Sequence, residues 1–227
     1  MKKFIVVFAT LLVAVSTVSA TIYNDTAPTG WLRGDAGTTY QAWGFDNDNN
    51  PADLEAGWIN LYGTLDPTAT IVGVDPPYGP PDFIAPNTYW KEIDNGHQGV
   101  WHIYNDTEDS MRFHIPNNPV PNDHKTIWFQ MTYYASAHTG AEPEFFTYPD
   151  NISVELISKT LLDEHYYYHA IWEITIEPNP EEEWITLKPQ DCTMLIDEVI
   201  IDTICIPEPA TMVLLGLGSL VLLRRKK

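Results

Sequence analysis

The chain has 227 residues, with 12 Lys and Arg against 31 Asp and Glu, a formal net charge of −19 at pH 7 and 44% hydrophobic residues. Binding to phosphates needs a basic footprint, so this balance excludes nucleic acid as a partner. The length permits a single domain with a sizeable core.

In chain order, Met1-Lys2-Lys3 precedes an uncharged apolar stretch from Phe4 to about Val15 and the small residues Val18-Ser19-Ala20. That is the order of a secretory signal peptide, with cleavage expected after Ala20. A retained anchor would need about 20 apolar residues; this run is shorter and ends in Ser16, Thr17 and Ser19.

From Thr21 to about Asn95 the chain is irregular and rich in Gly, Asp and Pro. It is expected to supply long loops and edge strands around the domain, with room for a second small unit. Arg33-Gly34-Asp35 spells an adhesion tripeptide and reads as coincidence. Asn24-Asp25-Thr26, Asn105-Asp106-Thr107 and Asn151-Ile152-Ser153 match a glycosylation acceptor and read as turn residues. Asp46, Asp48, Asn50 and Asp53 alternate acidic and amide oxygens, as a hard Ca²⁺ ion requires. An EF-hand would need Gly where Pro51 stands and Glu where Gly57 stands, so this is no EF-hand. Calcium is the one cofactor candidate, against a plain turn.

Beyond residue 95 the pattern has period two. Met111, Phe113 and Ile115 alternate with Arg112 and His114; Ile127, Phe129, Met131 and Tyr133 alternate with Trp128, Gln130 and Thr132. Ile152, Val154 and Leu156 continue the series, and Tyr168, Ala170, Trp172, Ile174 and Ile176 oppose His169, Glu173, Thr175 and Glu177. These predict strands with one buried face, joined by short strands at Val100 to Tyr104 and Trp184 to Leu187. Met194 to Ile204 breaks the alternation at Val199-Ile200-Ile201, which predicts a central strand covered on both faces. No segment of the middle region keeps a 3.6 period, and breakers such as Asp75-Pro76-Pro77-Tyr78-Gly79-Pro80-Pro81 separate the strands. The expected fold is all-β, a β-sandwich of jelly-roll type over residues 21–206.

Cys192 and Cys205 would lie roughly 43 Å apart along one extended strand, beyond the reach of a disulfide. Unpaired thiols, or thiols paired between chains, are favoured over an internal bridge. His165 and His169 are placed on one strand face, where a metal pair competes with a polar face rich in Tyr and His. Glu155, Glu173 and Glu177 offer carboxylate pairs, but an acidic chain produces these by chance. Gly-x-Ser-x-Gly, His-Glu-x-x-His and phosphate-cradling glycine loops are missing from the sequence, so no catalytic residue is nominated and a non-enzyme is expected. Eight Trp and twelve Tyr suit stacking on sugar rings as well as a β-sandwich core.

The last residues are Pro207-Glu208-Pro209, an uncharged apolar segment from Ala210 to Leu223, and Arg224-Arg225-Lys226-Lys227. This tail resembles the PEP-CTERM protein-sorting signal. The resemblance implies an exosortase-type membrane enzyme that recognises Pro207, Glu208 and Pro209, cleaves near them and passes the protein to the cell surface or matrix; Arg224 and Arg225 belong to the signal's basic end. The opening Trp31-Leu32-Arg33-Gly34-Asp35-Ala36-Gly37-Thr38-Thr39-Tyr40-Gln41-Ala42-Trp43 looks like the start of uncharacterised exported proteins of planctomycete type with the same tail. Physically, a helix over 210–223 would span roughly 21 Å, short against a hydrocarbon core of about 30 Å, which suits a temporary membrane anchor with its basic end cytoplasmic.

Without both ends, 6 basic side chains face 30 acidic ones, a net of about −24. The sequence thus predicts an acidic exported domain, anchored by its C-terminal helix until processing and then displayed at the envelope or in the matrix. A structural or adhesive role is expected, with extracellular polysaccharide as the alternative partner and a glycoside-active enzyme behind both.

Overall fold

The computed structural model describes residues 22–60, 67–72, 88–105, 109–117, 124–135, 140–148, 152–179 and 183–206. The expected signal peptide with Ala20, the loop at 75–81, and the tail with Pro207, Glu208, Pro209, Arg224 and Arg225 lie outside them. Among the described residues no helix is long and apolar enough to cross a membrane, and the helix expected at 210–223 is not part of that set.

Twelve strands are described: β1 (Thr38–Trp43), β2 (Ile59–Asn60), β3 (Thr68–Val72), β4 (Tyr89–Asp94), β5 (His97–Tyr104), β6 (Ser110–Ile115), β7 (His124–Ala135), β8 (Glu144–Tyr148), β9 (Ile152–Leu161), β10 (Tyr167–Ile176), β11 (Glu183–Lys188) and β12 (Thr193–Ile206). They form two antiparallel sheets. The larger runs β2-β1-β12-β7-β10-β9, with β5 also on β12 and β4 on β5; the smaller runs β3-β6-β11-β8. The all-β sandwich expected from the period-two pattern is the fold observed.

The inner faces meet through aromatic side chains. Trp43 of the larger sheet lies 5.2 Å from Phe113 of the smaller one, and Phe145 lies 5.4 Å from Phe129 and 5.2 Å from Trp172, centroid to centroid. Each fully buried aromatic of this kind contributes about 2 to 3 kcal/mol by leaving water. β12 is central, as its unbroken apolar run predicts, and a bulge between Ile196 and Glu198 resets its alternation. Because of that extra residue, Ile196 and Val199 both join the core while Glu198 and Asp202 take the outer face with Ile200.

The first third supplies edge strands as expected, β2, β3 and β4 each lying at the margin of a sheet, with one exception. β1 is not an edge but lies between β2 and β12, and the strands of this region belong to the same two sheets rather than to a separate unit. The residues ahead of β1 form a strap across the outer face of the larger sheet. Tyr23 N and Asn24 N donate to the Glu198 carboxylate at 2.9 and 3.1 Å, Thr26 N donates to Gln130 Oε1 at 2.8 Å, and Trp128 Nε1 donates to Thr26 O at 3.2 Å. Arg33 then reaches Asp202 and Asp25 together. The strap accounts for a second departure: both faces of β7 are buried, Trp128, Gln130 and Thr132 included. In contrast β9, expected to bury one face, is the outer edge of its sheet, with Val154 and Leu156 each 39% exposed.

Two glycine positions are forced by the backbone. Asn95 and Gly96 join β4 to β5 with φ of 50° and 93°, the doubly positive pair of a tight hairpin, and so set His97 at the start of β5. Gly99 has φ of 71°, and a Cβ there would stand 2.1 Å from the Phe45 carbonyl oxygen. Both cysteines are free, Cys192 exposed just ahead of β12 and Cys205 buried near its end, in line with one extended strand between them.

Candidate binding face

The strap covers β7 and β12 on the outer face of the larger sheet, whereas among the described residues none lies over Arg112 and Phe146 on the outer face of the smaller sheet. There, backbone pairing lines up side chains in rows. Thr70 pairs with Arg112, Arg112 with Thr186 and Thr186 with Phe146; in the next row Thr68 pairs with His114 and His114 with Trp184. Cross-strand neighbours on one face stand about 5 Å apart, so these residues form one surface. It holds a shallow, open depression of about 270 Å³ lined by Arg112, Phe146, Thr147, Trp184 and Thr186.

The chemistry of the face is aromatic and donor-rich. Phe146 is 49% exposed, and Trp184 is half-buried with His114 packed at 4.5 Å and a 37° tilt, which fixes its ring. The Arg112 guanidinium carbon stands 6.0 Å from the Trp184 ring, and among the described residues Arg112 has no carboxylate partner. A ring held by a tilted neighbour, beside a guanidinium and a threonine hydroxyl, can stack on an apolar disc and donate to hydroxyls at its rim.

Other residues singled out by the sequence are not brought together. Asp46 and Asp48 are exposed on the loop after β1, and partial desolvation raises the Asp46 carboxyl above its ordinary value. Asn50 spends its amide on the backbone of Ile71, donating to its carbonyl at 2.7 Å and accepting from its N–H at 3.0 Å. Asp53 accepts from Asn47 at 2.9 Å and Asn49 at 2.8 Å. Among the described residues no three His, Cys, Asp or Glu side chains are grouped to hold a metal. His165 lies in the turn ahead of β10, so it does not share a strand face with buried His169. This corrects the expected pair, because the strand begins only at Tyr167. Glu155 and Glu173 pair across β9 and β10, and Glu177 follows the end of β10. In Arg33-Gly34-Asp35 the arginine is engaged by Asp25 and Asp202 and lies 4.0 Å over Tyr40. Asn24 bonds Thr132 at 3.2 Å and Asn105 bonds the Gln190 carbonyl at 3.1 Å.

A second constellation has no signal in the sequence, since its members are remote in the chain. His97 Nδ1 lies 2.7 Å from Asp197 Oδ2 on the β12 bulge, and its Nε2 lies 2.9 Å from Asp163 Oδ2 in the β9 to β10 turn. Its ring stacks on Tyr167 at 3.6 Å, and Tyr167 donates to Asp94 at 2.9 Å. Burial alone would lower the imidazole, but the two carboxylates outweigh it and push it up to about 8. Both ring nitrogens are occupied, which makes this a structural clasp rather than a base with a free nitrogen.

A family model for the PEP-CTERM protein-sorting motif matches residues 206–227. Comparison with curated proteins and with solved structures gave no match.

Proposed function

From the premise that this is an exported protein carrying the PEP-CTERM motif, processed by an exosortase-type membrane enzyme, we propose that its sandwich is a non-catalytic adhesive module that holds extracellular polysaccharide at the cell surface. On this reading Pro207, Glu208 and Pro209 are the recognised triplet, and the basic end with Arg224 and Arg225 stays cytoplasmic until cleavage. The single observation that carries the ligand class is the open face of Arg112, Phe146, Trp184 and Thr186. An aromatic ring beside donors fits the flat, hydroxylated faces of sugars, and the acidic balance favours neutral chains over polyanions. Catalysis is not part of the reading, because the rows on this face present stacking and donor groups in place of a carboxylate pair.

Affinity electrophoresis through gels containing neutral polysaccharides tests it. Retardation of the wild type, lost in Trp184→Ala and weakened in Arg112→Ala, is the expected result. Unretarded migration across a broad panel would overturn the glycan assignment and leave a purely structural role. That second reading has its own support in β9, an edge strand exposing Val154, Leu156, Ile157 and Leu161, which could join copies of the chain. It would show as concentration-dependent assembly abolished by Ile157→Lys.

A further inference from the structure

Lys125 on β7 and Glu183 at the start of β11 meet inside the sandwich, both side chains 0% exposed and in direct contact. Lys125 Nζ also donates to the Pro116 carbonyl at 2.8 Å, while among the described residues neither Glu183 oxygen receives a hydrogen bond from any other group. Two charges taken out of water must be repaid by geometry and by further hydrogen bonds, and here no described residue gives the carboxylate a further donor. Burial correspondingly raises the Glu183 carboxyl, more than Lys125 offsets. Passing one proton from ammonium to carboxylate leaves a neutral amine against a neutral acid, the less costly pair in an apolar enclosure.

We propose that Lys125 and Glu183 are joined by an intramolecular isopeptide bond. The Lys125 nitrogen lone pair adds to the Glu183 carboxyl carbon, forming the C–N bond. A proton moves from that nitrogen to the hydroxyl oxygen, the C–O bond breaks, and one water leaves. Nothing is oxidised or reduced, and no co-reactant enters. Contact held by two packed strands supplies the high effective concentration such an addition needs. Asn117 and Asn179 lie at the same end of the core, but their amides are spent on each other at 2.9 and 3.2 Å with Cys205 against Asn117 at 3.5 Å, so the Glu183 carboxyl is the carbonyl partner.

The position gives the bond a use. β7 belongs to the larger sheet and β11 to the smaller, so the link crosses the sandwich. Lys125 is the backbone partner of Cys205, one residue before the end of β12 at Ile206, where the matched sorting motif begins. The strand through which the domain hangs from its tail is thereby flanked by a covalent staple, in a domain whose two cysteines are free.

Tryptic digestion and tandem mass spectrometry of the full chain purified after folding test the proposal. The expected product is a branched peptide pair joining residues 125 and 183, lighter than its two parts by one water, uncleaved after Lys125 and unchanged by reductant. Lys125→Met and Glu183→Leu should each remove it. Two linear peptides at their full masses would overturn the proposal, as would a pair lighter by one ammonia and joined at Asn117 or Asn179. The wild-type spectrum decides between these outcomes even if a variant fails to fold.

Discussion

Replacing His97 with Gln should destabilise the domain in a manner that depends on pH. In the folded chain the imidazole is pushed up to about 8 from 6.5, the carboxylates of Asp197 and Asp163 overcoming the effect of burial. The ring, next to the β4–β5 hairpin, is held between the β9 to β10 turn and the β12 bulge, with its side chain only 17% exposed. A rise of this size corresponds to about 2 kcal/mol favouring the protonated, clasped form. The sign follows from the direction: the contribution is fully present below 6.5 and is lost as pH rises through about 8. The neighbouring groups do not blur this window. Burial depresses His102 to about 4, so its contribution changes on the acid side, where protonation is resisted. Burial raises Asp197 against the pull of His97, while the hydrogen bonds of Asp163 to His97, Tyr167 and His165 hold it low despite its partial burial. Unfolding free energies from urea melts of wild type and His97→Gln should therefore differ by about 2 kcal/mol near pH 6 and converge near pH 9. A constant difference across that range would refute the clasp as the source.

Other substitutions test the strap and the backbone. Arg33→Ala leaves Asp202, whose side chain is 0% exposed, without its counter-charge; a loss of about 3 kcal/mol is expected, and adding Asp202→Asn should recover part of it in the same urea melts. Gly99→Ala would drive a Cβ against the Phe45 carbonyl oxygen 2.1 Å away at a positive φ, and should lower stability by about 3 kcal/mol. Calcium at about 1 mM should leave the melting temperature unmoved, because Asn50 and Asp53 are committed to hydrogen bonds within the fold.

Much of this molecule is determined by local sequence. The alternation of Met111, Phe113 and Ile115 with Arg112 and His114 is visible in the chain because side-chain direction in a strand has period two, and it already places Arg112 outward. The unbroken Val199-Ile200-Ile201 marks β12 as central for the same reason. The tail is legible because its triplet, apolar run and basic end are contiguous. Only the tertiary structure decides which outer face is open. The hydrogen bonds of Tyr23, Asn24 and Thr26 to Glu198 and Gln130 seal one sheet, and no pattern within the strap announces where it will lie. His97 meets Asp163 and Asp197, Lys125 meets Glu183, and Trp184 meets Arg112 through strand order and one bulge in β12. These juxtapositions join residues far apart in the chain, and a local periodicity cannot encode a contact that only the pairing of the sheets creates.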